Sequence, residues 1–161
     1  MRQKKLQKNY NQINSLLYQI KPNFEKSIKN DLINYIKGDN WITEHTVTER
    51  FEKEFAKFTN SKHCICFPNG TITMSSVLDC LNLNKNSEVL VSNYTMVATA
   101  NVVKFSRLKV KLVDISNEDL CMCPKDLIKK ITKKTKVVIY TQMNGRIGQI
   151  NKIKEICRKK K

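Results

Sequence analysis

FPNGTITM, residues 67–74, stands between a short apolar run, HCICF (63–67), and a helical pattern. Beyond it, Met74, Val77, Leu78 and Leu81 recur at three- and four-residue spacing. That spacing predicts a buried helix face over 71–81, and the apolar run predicts a strand leading into it. Asn69-Gly70-Thr71 is therefore a strand-to-helix junction. Gly70 lets the backbone approach a ligand closely. Thr71 offers a hydroxyl and an N–H in the first helical turn, where N–H groups have no partner within the helix. This is the geometry of an anion site. It is also the geometry of a plain turn with a capping residue, and the octapeptide by itself leaves both readings open.

Working outward, strands and helices alternate. Strand EVLVS (88–92) precedes a helix expected at 95–106. Strand VKLVDI (110–115) precedes one at 124–132. Strand KVVIYT (136–141) precedes a loop and a helix at 149–159. Alternation of this kind means right-handed crossovers and a mostly parallel sheet. The expected class is α/β, a three-layer, doubly wound sheet. The unbroken run VVIY suits a strand buried on both faces. Upstream, two amphipathic helices are expected. One spans roughly 24–37 with Phe24, Ile28, Leu32, Ile33 and Ile36 on one face, and Gly38 stops it. The other spans about 48–59 with Phe51, Phe55 and Phe58. Residues 1–22 read as a polar N-terminal lead-in ending at Pro22, and residues 23–161 as one folded region.

The net charge is +16, from 30 Lys and Arg against 14 Asp and Glu. Twenty-five of the basic residues are Lys and five are Arg, and they are spread along the chain. Forked arginines interleaved with aromatics, which read nucleic acid well, are missing. With Asn and Ile also abundant, the charge reads as a solvated surface written by an AT-rich genome, with no nucleic-acid partner. No stretch is long and apolar enough to cross a membrane, and the basic N-terminus has no apolar signal core. Six cysteines are present, Cys64, Cys66, Cys80, Cys121, Cys123 and Cys157. The two Cys-x-Cys pairs lack further ligands at zinc-like spacing, so no metal site is expected. Reduced thiols and a cytoplasmic location fit better.

In a parallel α/β sheet, ligands bind beyond the carboxyl ends of the strands. Those ends are Asn69-Gly70-Thr71, Ser92-Asn93-Tyr94-Thr95-Met96, Asp114, and Gln142-Met143-Asn144-Gly145-Arg146. All are polar and two contain glycine, which favours a ligand at the Gly70-Thr71 turn. No G-x-G-x-x-G dinucleotide fingerprint and no Walker-type Gly-Lys-Ser/Thr is present.

Five strings then line up in order: WITEHTVTERFEKEFAKFTNSKHCICFPNGT, EVLVSNYTMVATANVV, KLVDI, LCMCPKDLIKKITKKTKVVI and MNGRIGQINKIKEIC. Together they resemble the N-terminal part of the DegT/DnrJ/StrS family of sugar aminotransferases, over residues from about 20 to the end. That family uses pyridoxal 5'-phosphate on the fold type I aminotransferase scaffold. The resemblance implies that Gly70 and Thr71 hold the cofactor phosphate. It implies that Met96, where many members have an aromatic residue, covers the pyridine ring with a thioether, although a simple apolar wall is an alternative for Met96. It also implies that Asn144 can donate to a cofactor or substrate oxygen, with a turn asparagine as the alternative. Two positions depart from the family pattern. His45 stands where glycine is common, and Gln149-Ile150 replaces an Asp-Met pair.

The resemblance further implies a nucleotide-linked keto sugar as substrate, glutamate as amino donor, and a homodimer at full length. The products would be amino sugars for surface polysaccharide or related glycans. In the family, the carboxylate against the pyridine nitrogen and the Schiff-base lysine lie further along the chain than the strings matched here. No catalytic residue is therefore assigned, and residues 23–161 are expected to be an incomplete large domain, inactive alone. A non-catalytic binding module of the same fold, taking a nucleotide sugar or a protein partner, is the alternative reading.

Overall fold

A computed structural model of the chain describes residues 24–38 and 46–160. The chain divides into two compact units, Met1–Cys64 and Ile65–Lys161. In the first unit, helix α1 spans Lys26–Lys37 and helix α2 spans Thr46–Phe58. The expected apolar residues of both helices are exposed, and among the described residues of this unit only Ala56 is buried. Along α2, Phe51 and Phe55 stack with ring centroids 5.6 Å apart, and Phe58 follows at 6.2 Å from Phe55. The lead-in at 1–22 and His45 lie outside the described residues.

The second unit carries helix α3 (Gly70–Cys80), strand β1 (Glu88–Ser92), helix α4 (Val97–Phe105) and strand β2 (Lys109–Val113). Helix α5 (Pro124–Lys130), strand β3 (Thr135–Ile139), a 3-10 turn (Met143–Gly145) and helix α6 (Ile150–Lys159) follow. The sheet order is β2-β1-β3, and both pairings are parallel. β1 is central and every residue in it is buried.

Side chains alternate across this sheet as the strand period requires. Val89 and Val91 face one layer with Val110, Val137 and Ile139, where α3 and α4 supply Met74, Leu78, Val102 and Val103. Leu90 faces the other with Val113 and Val138, where α5 and α6 supply Leu127, Ile153 and Ile156. The three-layer doubly wound arrangement is thus present. Burying each of the three apolar β1 side chains contributes about 1.5–3 kcal/mol, an upper estimate because the unfolded chain is itself partly collapsed.

Two expectations need correction. Residues 63–67 form no strand. Ile65 is 71% exposed, and the segment does not join the three-stranded sheet. β propensity describes a side chain that suits a pleated surface, and a strand also needs a partner. In addition, the run VVIY does not make the doubly buried strand. Among the described residues β3 is half-buried over Val137–Ile139 and pairs only with β1, while EVLVS lies between two strands.

The middle strand begins with a charge. Glu88 is buried at the amino end of β1 and accepts from Thr132 Oγ1 (2.6 Å), Lys111 Nζ (3.1 Å) and Thr135 Oγ1 (3.3 Å). The Thr132 hydrogen bond, followed by Lys111, holds its carboxyl below the ordinary carboxylate range against the opposing effect of burial. The pairing shifts register between Glu88 and Val89, so β3 bulges as it passes this carboxylate. Glu88→Gln is expected to cost about 1–3 kcal/mol near neutral pH, because a charged acceptor of three donors is replaced. The native carboxyl titrates below the unfolded one. Its stabilisation is therefore complete above about pH 4.5 and is lost as pH falls through the depressed native value. Urea unfolding of both forms between neutral and acid pH checks this. The gap between them should close on acidification, and a gap independent of pH would contradict it.

Candidate cofactor site at the carboxyl rim of the sheet

The chain leaves β1 toward α4, on the Val89/Val91 face, and leaves β3 toward α6, on the Leu90 face. Adjacent parallel strands whose connections depart to opposite faces leave a crevice between their carboxyl ends. Thr95 and Thr141 border this crevice. Their hydroxyls are 3.0 Å apart, and Thr95 Oγ1 is also 3.1 Å from Thr99 Oγ1 in the first turn of α4. Met96 and Asn144 follow these two threonines in the chain, so the structure brings both to the β1–β3 side of the rim. Met96 precedes α4, is 75% exposed, and its thioether makes no capping bond. Asn144 is exposed in the 3-10 turn and left-handed, with φ 52° and ψ 37°.

Gly70 and Thr71 open α3, the helix packed beside α4 through Leu78, Val102 and Val103. Helix α3 starts one residue earlier than its apolar spacing indicates, because Asn69 caps it. The Asn69 side chain accepts from Ile72 N at 3.1 Å, and the Asn69 carbonyl accepts from Thr73 N at 3.1 Å. The third and fourth amides are thereby satisfied. The N–H groups of Gly70 and Thr71 remain the free donors of this helix end. The Thr71 side chain, half-buried, has no hydrogen bond within the described residues, and the first turn holds no acidic residue. A Cβ built on Gly70 meets no atom within 4 Å, so no described residue crowds the first residue of α3 on that side.

The polar strand-end residues Ser92, Asn93 and Asp114, together with Asp126 and Lys130, which the sequence does not mark, shape the same rim. Asn93 Nδ2 donates to Asp114 Oδ1 at 2.7 Å, and Asn93 N donates to the Val113 carbonyl at 2.8 Å. Asp126 Oδ2 accepts from the Asp114 N–H at 2.7 Å and from Lys130 Nζ at 2.8 Å. That backbone hydrogen bond first, and Lys130 second, hold the Asp126 carboxyl below its ordinary range. The result is a braced end for β2. At the end of β1, Ser92 Oγ is buried and has no hydrogen-bond partner among the described residues. The polar character of the strand ends is the only sign of these contacts in the sequence. Among the described residues no cluster of His, Cys, Asp and Glu is arranged to hold a metal, and no helix is long and apolar enough to cross a membrane.

Comparison with known proteins identifies the family and the fold. GDP-perosamine synthase of Vibrio cholerae is 31% identical over 135 residues, which cover 83% of this chain and 35% of that protein. A Streptococcus pneumoniae protein described as a sugar aminotransferase, solved in PMP and PLP forms, superposes with a TM-score of 0.81 at 23% identity. The PMP-form match covers 89% of this chain and 36% of that one. Helicobacter pylori PseC, an aminotransferase involved in the biosynthesis of pseudoaminic acid, gives a TM-score of 0.79 at 20% identity over 86% of this chain and 38% of its own. The two superpositions establish the fold, a partial fold type I aminotransferase domain. The chain spans about a third of the length of the curated relatives it matches. The cofactor indicated by the family and by the forms in which its members were solved is pyridoxal phosphate. The sequence pattern of the DegT/DnrJ/EryC1/StrS aminotransferase family matches residues 22–161, and the chain belongs to that family.

Proposed function

We propose that this chain is the phosphate-binding part of a pyridoxal-phosphate aminotransferase that moves an amino group from glutamate to a nucleotide-linked keto sugar. The observation that carries this reading is the start of α3. Two amide donors and one hydroxyl, at Gly70 and Thr71, lack partners among the described residues at the positive end of an 11-residue helix, with no atom within 4 Å of a Cβ built on Gly70. A phosphate dianion fits this donor set. The helix end contributes about 0.3–2 kcal/mol toward an anion, and each hydrogen bond to a charged oxygen about 1.5–3 kcal/mol.

When bound, the pyridoxal ring supplies an electron sink for exchanging an amine and a carbonyl. The residues of this chain do the holding. Gly70 and Thr71 fix the phosphate, which anchors the ring at one end. Met96, exposed at the rim beside Thr95, covers a ring face with a polarisable thioether, worth about 0.3–1.5 kcal/mol. Asn144 donates its side-chain amide to an oxygen of the cofactor or substrate. The Thr95–Thr141 contact keeps the two sides of the crevice in register. Residues 23–161 act in this reading as the N-terminal part of the large domain, with 1–22 as a polar lead-in. The intact enzyme is a cytoplasmic homodimer that makes amino sugars for surface glycans.

Incubating the intact enzyme with 15N-labelled glutamate and nucleotide-linked keto sugars tests the reaction. One 2-oxoglutarate is expected per amino sugar, with the label in the sugar. An enzyme that takes up pyridoxal phosphate yet transfers no label to any such sugar would end the substrate assignment.

A further inference from the structure

The turn that carries Asn144 is built from left-handed conformations, free for its two glycines and carrying a modest cost at the asparagine. Asn144, Gly145 and Gly148 all have positive φ, at 52°, 74° and 55°. Little within the turn compensates. Gly145 N reaches the Gln142 carbonyl at 3.3 Å and Arg146 N the Met143 carbonyl at 3.0 Å, while residues 144–148 are exposed. An exposed segment with so few bonds of its own keeps one conformation only where its surroundings determine it.

Here the surroundings act on three consecutive residues. Cys121 Sγ donates to the Arg146 carbonyl at 3.6 Å. Tyr140 Oη donates to the next carbonyl, Ile147, at 2.9 Å. Gly148 then passes so close to both side chains that a Cβ there would strike the Tyr140 hydroxyl and lie 2.7 Å from Cys121 Cβ. Both anchors are fixed from behind. Cys121 is fully buried, its N–H bonds to Asp119 Oδ1 at 2.9 Å, and its carbonyl accepts from Ser116 N at 2.9 Å. Tyr140 directly follows β3 and packs on the Leu90/Val113 core. Burial, and after it the Cys121 side chain, push the Tyr140 hydroxyl above its ordinary pKa.

We propose that Tyr140 and Cys121 are positioning residues that clamp the 142–148 turn and so hold Asn144 preformed for its ligand. The ligand itself rests on the function proposed above. A preformed donor spares the ordering entropy that a loose loop would lose on binding.

The test uses the intact aminotransferase, hydrogen exchange, and spectral titration with pyridoxal 5'-phosphate as the probe. Tyr140→Phe is expected to speed exchange at the Gly145 and Arg146 amides by about three- to tenfold, the range of one lost hydrogen bond. Exchange in β1 should not change. Pyridoxal phosphate affinity should fall by a similar factor. In the double variant with Asn144→Ala it should fall no further than in Asn144→Ala alone, because the tyrosine acts through the asparagine. Unchanged exchange at the turn in both Tyr140→Phe and Cys121→Ala overturns the clamp. So does unaltered affinity in Tyr140→Phe when Asn144→Ala weakens binding. If Tyr140→Phe loosens the turn while Asn144→Ala leaves affinity untouched, the clamp stands and the ligand contact assigned to Asn144 fails.

Discussion

Thr71→Val in the intact aminotransferase is expected to weaken pyridoxal phosphate binding about ten- to a hundredfold and to leave the melting temperature of the cofactor-free protein unchanged. Valine keeps the shape of threonine and removes only the hydroxyl. That hydroxyl bonds to nothing within the described residues, so its loss leaves no protein group unpaired. Toward a phosphate, it donates to a charged oxygen, an interaction worth about 1.5–3 kcal/mol. The backbone N–H groups of Gly70 and Thr71 survive the substitution, so binding weakens and does not vanish. Thr71→Ser should retain most of the affinity. Spectral titration of cofactor release measures the effect. Equal retention in Thr71→Val and the parent would sink the phosphate site at α3.

The second large effect is on folding. Gly148→Ala is expected to destabilise by about 2–5 kcal/mol. A left-handed alanine costs about 1–2 kcal/mol, and an overpacked site about 1–3 kcal/mol more. Tyr140 and Cys121 cannot both yield, since Cys121 Cβ stands beside its own tethered backbone. Adding Tyr140→Phe should recover part of the loss by removing the nearest atom. Gly70 has no such neighbour within 4 Å, so the two glycines serve different ends, one packing and one access. Urea unfolding of the parent, Gly148→Ala and the double variant checks the ranking. A Gly148→Ala protein as stable as the parent would show that the turn relaxes freely.

The sequence shows some of this readily and some not at all. β1 is where EVLVS places it, and the five helices with bounds expected after residue 40 begin or end within two residues of their apolar spacing. Periodicity is a local property and is read locally. The strand expected at 63–67 fails because pairing depends on a partner that composition does not report. Among the three strands described, the more apolar run, VVIY, pairs on one side only, while EVLVS with its buried Glu88 lies between the other two. Sheet order comes from crossover topology, and the charge is tolerated because Lys111, Thr132 and Thr135 converge on it from 23, 44 and 47 residues away. The rim divides in the same way. The opening of a helix at Gly70-Thr71 is legible because a helix start has a local signature. The Thr95–Thr141 contact spans 46 residues, and the Cys121–Arg146 bond 25, and neither leaves a local trace.

The central place of β1 also sets an order of events during synthesis. Glu88 leaves the ribosome 47 residues before Thr135, its neighbour in β3. At about 5–20 residues per second, that gap lasts roughly 2–9 s. Through that interval Val89, Leu90 and Val91 have at most one flank covered, and the buried carboxylate lacks two of its three donors. Such a segment is a natural client for a chaperone acting near the exit tunnel. Slowing translation between codons 113 and 135 should therefore raise the fraction of nascent chains that are captured or degraded before β3 arrives.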